Sequence, residues 1–140
     1  MSKLTNPIRF TVPLRAAPQG SKTLGRWGGL REASKRVKPY RNALAIYAKE
    51  AMRGKKVLSV PLAVDLTFGF VQAKQNRDIY PTGKNIGDID KLVRATLDAL
   101  TGIVYLDDSQ VAVLTANKYY LARDMVEIQV WTLSEKEIQL

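Results

Sequence analysis

Two pairs of carboxylates flanking one short amphipathic segment are the part of this 140-residue sequence best suited to chemistry. Asp88-Ile89-Asp90 stands at the entrance of a predicted helix running from about Asp88 to Leu100, and Asp107-Asp108 follows just past its end. Brought together, three or four such carboxylates form an all-oxygen site of the kind that holds Mg²⁺ or Mn²⁺. A helix of about 13 residues separates its ends by about 20 Å. The pairs therefore converge only if the chain after Gly102 doubles back antiparallel and carries Asp108 toward the helix start. The five or six extended residues between Gly102 and Asp108 reach roughly that far. Each pair also has an ordinary structural use. Asp88 suits a helix N-cap, Asp90 the positive end of the helix dipole, and Asp107-Asp108 a turn before a strand.

The cations around these acids have two uses as well. Arg94 lies four residues after Asp90, with Lys91 and Asp98 on the same polar helix face. It suits either a surface ion pair worth a few tenths of a kcal/mol or a bidentate clamp on a phosphate. Guanidinium stays protonated at any working pH, so Arg94 stabilises charge and does not donate a proton. Further up the chain, Arg15, Lys22, Arg26, Arg31, Lys35, Arg36, Lys38 and Arg41 are opposed only by Glu32, with Trp27 and Tyr40 interleaved. Displayed cations beside aromatic rings suit phosphate contact and stacking on an unpaired base. Lys118, beside Tyr119 and Tyr120, is either a further phosphate contact or the charge of an edge strand.

The sequence contains no cysteine and no histidine. Disulfide frameworks, zinc fingers, thiol nucleophiles and imidazole catalysis are excluded. Gly20-Ser21-Lys22-Thr23 is not a nucleotide-binding loop, because the Gly-Lys adjacency is missing and Arg15 takes the place of the first glycine. No nucleotide cofactor is expected. The formal charge is +9, and it is unevenly placed. Met1 to Lys56 holds 14 bases and 2 acids, for +12, whereas Val57 onward holds 8 bases and 11 acids, for −3. A basic half joined to an acidic half suits a protein that grips phosphates with one part and presents carboxylates with the other. No apolar stretch approaches the roughly 18 residues of a membrane span, and Met1 to Phe10 lacks a signal-peptide run. A cytoplasmic protein without membrane contact is expected.

Hydropathy patterning supplies the elements that must position these groups. Ile8–Val12 alternates and reads as a strand closed by Pro13. Residues 15–38 are basic and contain four glycines, and read as a mobile loop. A helix begins near Pro39 and stops at Gly54, with Ala43, Leu44, Tyr47, Ala48 and Ala51 on its apolar face. Leu62–Phe68 is a second strand, Gln72–Gly87 a second loop, and the helix from Asp88 carries Ile89, Leu92, Val93, Leu97 and Leu100 on one face. Two further strands, Gln110 to about Tyr119 and Met125–Trp131, read as a hairpin turned by residues 121–124. The order is β-α-β-α-β-β, an α+β single domain over residues 1–140 with a loose tail at 134–140.

The run from Gly87 to Gly102, GDIDKLVRATLDALTG, continued by Tyr105-Leu106-Asp107-Asp108-Ser109-Gln110-Val111, resembles the signature of RusA-type Holliday junction resolvases. Gln19-Gly20-Ser21-Lys22 after the first strand and the later Lys118 fit the same family. The resemblance covers nearly the whole chain in order. It implies a small α+β homodimer with a mixed sheet, dependent on Mg²⁺ and acting on four-way DNA junctions. It also implies Asp88, Asp90 and Asp108 as metal-binding carboxylates, with Arg94 where better-known members carry a catalytic Lys and Lys91 where they carry Asn. Arg94 then acts electrostatically, and Lys91 joins Lys22, Arg26, Arg31, Lys35, Arg36, Lys38, Arg41 and Lys118 as a DNA contact. Similar proteins are often carried by phages or prophages. Cutting two strands symmetrically needs two sites, and a two-fold dimer supplies them. A non-catalytic nucleic-acid-binding protein, in which the Asp residues only cap a helix, and a nuclease of flaps or forks are the alternatives.

Overall fold

A computed structural model describes residues 7–20, 22–24, 30–32 and 35–133. Among the described residues, six strands, two α-helices and one 3₁₀ turn follow one another. They are β1 (Ile8–Val12), β2 (Lys22–Leu24), β3 (Leu30–Glu32), α1 (Val37–Ala51), β4 (Leu62–Phe70), α2 (Ile89–Leu100), β5 (Val111–Tyr120) and β6 (Met125–Thr132). The main sheet has the order β1-β6-β4-β5, with β5 parallel to β4 and the other pairings antiparallel. The fold is α+β with a mixed sheet, as the order of elements and the family resemblance imply.

β4 is an inner strand, and its alternate residues from Leu62 to Phe70 bury one wholly apolar face while Asp65 and Thr67 lie half-buried on the other. Leu62, Ala63, Val64, Leu66, Phe68, Gly69 and Phe70 are all buried along it. Its alternate residues Val64, Leu66, Phe68 and Phe70 join Val126, Ile128 and Val130 of β6 under the two helices. Tyr40, Leu44 and Ala48 of α1 and Leu92, Ala95 and Ala99 of α2 complete that core. The opposite sheet face carries Arg9, Thr11, Glu127 and Gln129, and an ion pair joins Arg9 to Glu127 at 3.1 Å. No helix among the described residues is long and apolar enough to cross a membrane.

Three features depart from the patterning. β5 and β6 are not a hairpin, because β4 lies between them and pairs with both. Residues 121–124 therefore span two strand spacings, about 10 Å. Residues 15–38 are not one open loop. Ala16 and Ala17 are buried, and Lys22–Leu24 pairs with Leu30–Glu32 as a two-stranded antiparallel ribbon. α1 begins at Val37, so Pro39 is its third residue rather than its first. The tail at 134–140 lies outside the described residues.

Candidate active site

α2 is amphipathic and seats Leu92, Val93, Ala95, Thr96, Ala99 and Leu100 in the core. That packing leaves Asp88, Asp90 and Arg94 facing solvent. Asp88 occupies the N-cap position, yet its side chain makes no capping hydrogen bond. Among the described residues its one ion pair is with Lys91, whose Nζ lies 3.6 Å from Oδ2. Its side chain is 72% exposed, so apart from that surface pair this carboxylate is open to solvent at the positive end of a helix dipole. Among the described residues, Arg94 forms no ion pair with Asp90.

The segment leading into Asp88 is held from several sides. Arg15 lies with its guanidinium 5.5 Å from the centre of the Phe70 ring, and its Nη2 donates to the Asn85 carbonyl at 2.9 Å. Arg36 Nη2 donates to the same carbonyl at 3.4 Å. Lys118 Nζ, arriving from β5, donates to the Gly87 carbonyl at 3.1 Å. Gly87 has φ +104°, and a Cβ built there would lie 2.7 Å from Pro18 Cγ. The Gln19 amide donates to the Lys91 carbonyl at 2.9 Å, so residues 15–19 and 85–91 form one packed unit. Arg15 Nε and Gln19 Oε1 are buried in it without a partner among the described residues. Patterning had placed Arg15 in the basic loop and missed this role; a glycine just before an N-cap Asp was the available signal.

The second carboxylate pair stands at the other end of α2. The chain does not double back after Gly102. Instead Thr101 and Leu58 both bridge to Tyr105, and the Tyr105 hydroxyl donates to the Leu97 carbonyl at 2.7 Å. Burial raises the Tyr105 phenol above its usual pKa, and nearby Asp108, Asp98 and Asp107 add to the shift. β5 then runs from Val111 beside Leu62 to Lys118 beside Phe68, the residue that touches Gly87. Asp108 and Asp88 are thus separated by the length of α2, about 18 Å for its 12 residues. Within one chain the expected convergence does not occur. Among the described residues no three acidic side chains are placed to hold a metal ion together. Asp107 is also partly committed. It accepts from the Ser109 amide at 2.9 Å and completes a capping box with Gln110, and the Ser109 hydrogen bonds lower its pKa. Asp108 is exposed beside it.

Across residues 13–131 the chain matches the family model described as endodeoxyribonuclease RusA. That span includes both carboxylate pairs, Arg94 and Lys118. The chain belongs to the RusA endodeoxyribonuclease family. No curated protein matches the chain at a significant level. Membership assigns the chain to a family of enzymes that cut DNA internally, and β4, α2, β5 and both acidic pairs lie inside the matched region.

The remaining cations divide by position. Lys35, Arg36 and Lys38 are exposed and Arg41 is half-buried at the start of α1. Arg26 and Trp27 lie outside the described residues, as do the side chains of Lys22 and Arg31. Tyr40, expected beside the cations for stacking, is instead 1% exposed and packs in the core of this RusA fold. Its hydroxyl meets Thr96 Oγ1 at 2.7 Å. Thr96 Oγ1 spends its own proton on the Leu92 carbonyl at 2.8 Å, so Tyr40 is the donor. A phenol on an α1 residue one turn from the helix start, with apolar spacing around it, belongs to the buried stripe.

Proposed function

We propose that this RusA-family enzyme is an Mg²⁺-dependent, structure-selective endonuclease that resolves four-way DNA junctions by paired symmetric nicks. The observation that carries the reading is the Asp88-Ile89-Asp90 start of α2, where the N-cap carboxylate is exposed and leaves the helix uncapped. A residue that only capped the helix would spend its oxygens on the first-turn amides.

Carboxylate oxygens without nitrogen or sulfur donors suit a hard divalent cation, and Asp88, Asp90 and Asp108 are the residues that would hold it. When bound, such an ion supplies a water of lowered pKa and neutralises charge on the phosphate and leaving oxygen. The protein positions the strand. Arg94, one turn after Asp90 on the exposed helix face, offers a fixed cation to the phosphate under attack. Lys91 and the exposed cations at the start of α1 offer further contacts along the backbone.

Because Asp108 lies a helix length from Asp88, a site that uses both needs a second chain. A two-fold homodimer provides it twice, once for each strand to be cut. The defining experiment is cleavage of a labelled synthetic four-way junction with Mg²⁺ and with EDTA, beside flap and duplex controls. Paired nicks at the junction with Mg²⁺ alone are expected. Binding without cutting in both conditions would leave the protein a DNA-binding member without nuclease action.

A further inference from the structure

The loop between β4 and α2 carries apolar surface that the fold does not use. Ile79 is 86% exposed and Tyr80 54%, although both precede Pro81 and Ile86, which are buried. The loop is built rather than slack. Gln72 Nε2 donates to the carbonyls of Asn76 and Asp78 at 3.2 and 2.8 Å, and the Asp78 amide donates to Asn76 Oδ1 at 2.7 Å. The Tyr80 ring lies 6.1 Å from that of Tyr119 on β5, tilted by 44°. Lys118, the residue before Tyr119, points to the other sheet face and bonds to Gly87, immediately before Asp88. The two rings and the carboxylates therefore sit on either side of the same end of the edge strand.

The surrounding charge says what fits there. Arg77 Nη1 donates to the Lys74 carbonyl at 3.0 Å and has no carboxylate partner among the described residues. Lys74, Lys84 and Arg123 likewise form no ion pair among the described residues. Asp124 in the neighbouring turn is spent on the Val71 amide at 3.0 Å, and Asp78, next to Ile79, forms no ion pair among the described residues. A loop and turn that carry these cations together with exposed rings and an exposed aliphatic tip have the composition of a surface that takes unpaired bases. The phosphates meet the cations, the rings stack on bases, and the aliphatic group wedges beside a disrupted step.

We propose that Ile79, Tyr80 and Tyr119 form a stacking platform for the unpaired or unstacked bases at a DNA branch point, beside the cleavage site. This rests on the nuclease reading above, and the two are tested separately. A four-way junction carrying 2-aminopurine at the branch is titrated in EDTA with the parent protein, Tyr80→Ala and Ile79→Ser, and cleavage of the same junction is followed with Mg²⁺. The parent changes the 2-aminopurine fluorescence. Tyr80→Ala abolishes that change and weakens junction binding about ten-fold, the size of one lost base stack, while duplex affinity is unaltered. Ile79→Ser reduces the change without abolishing it. A fluorescence change with no cleavage by the parent supports the platform and removes the nuclease reading. Cleavage with an identical signal in parent and Tyr80→Ala overturns the platform and leaves the nuclease reading standing. A change of oligomeric state in Tyr80→Ala, with the DNA signal intact, also overturns it and makes the patch a protein interface.

Discussion

At the scale of single residues, the same side-chain type does opposite work in different places. Asp107 is held by Ser109 and Gln110, while Asp88 leaves its helix uncapped and open. Composition cannot separate them, because both are an Asp at the entrance of a helical turn. Only the backbone that follows decides whether the amides turn toward the carboxylate. Arg94 is exposed and forms no ion pair among the described residues, which gives its substitution a clear reading. Arg94→Lys should keep cleavage within about ten-fold of the parent, and Arg94→Ala should lose about a hundred-fold or more, as for a lost charge-stabilising donor. The assay is single-turnover cutting at saturating enzyme; equal losses would show that the guanidinium fork, not its charge, is required. Tyr40 is the residue most misplaced by patterning. Its burial removes it from DNA contact and raises its phenol above the ordinary pKa, against the smaller opposing effect of the Thr96 hydrogen bond. The raised folded pKa means that stability is fully present below the unfolded phenol's value of about 10 and is lost as pH rises above it. The thermal midpoint should fall as pH rises above about 10, less steeply in Tyr40→Phe. An equally steep fall in both would contradict the assignment.

At the scale of elements, the periodicities of β1, β4, α1 and α2 were legible because each buries one face against one core. The partners of β5 and β6 were not legible. A four-residue connection between two alternating segments looks like a hairpin turn, and the competing preference lies in β4, whose core face from Leu62 to Phe70 is wholly apolar and sits between them. The doubling back of residues 103–108 failed for a related reason. Tyr105 is fully buried against the end of α2 and fixes the chain there. The packed unit of residues 15–19 and 85–91 is long-range and has no local pattern at all. It predicts that Gly87→Ala is damaging beyond helix propensity, since φ +104° disfavours any side chain and Pro18 occupies the space. A loss of about 1–3 kcal/mol in urea unfolding is expected, with cleavage falling further than stability because Asp88 is the next residue. A Gly87→Ala protein of parental stability and rate would show that residues 85–91 tolerate another path.

At the scale of the whole molecule, one chain presents two acidic pairs a helix length apart and a formal charge of +9. Junction affinity should therefore fall steeply with added salt, as counterions compete for the phosphates. If each site draws Asp90 from one chain and Asp108 from its partner, inactive Asp90→Asn and Asp108→Asn proteins should regain one nick per junction when mixed and allowed to exchange. The mixed dimer then holds one doubly altered site and one intact site. Continued inactivity in verified mixed dimers would mean that each site is drawn from a single chain. The most direct test of the central claim is the Asp90→Asn protein on a labelled four-way junction with Mg²⁺. It should bind at least as tightly as the parent, having lost negative charge beside DNA, and should make no cut. Nicking by purified Asp90→Asn at the parental rate would contradict the assignment of the α2 carboxylates to the active site.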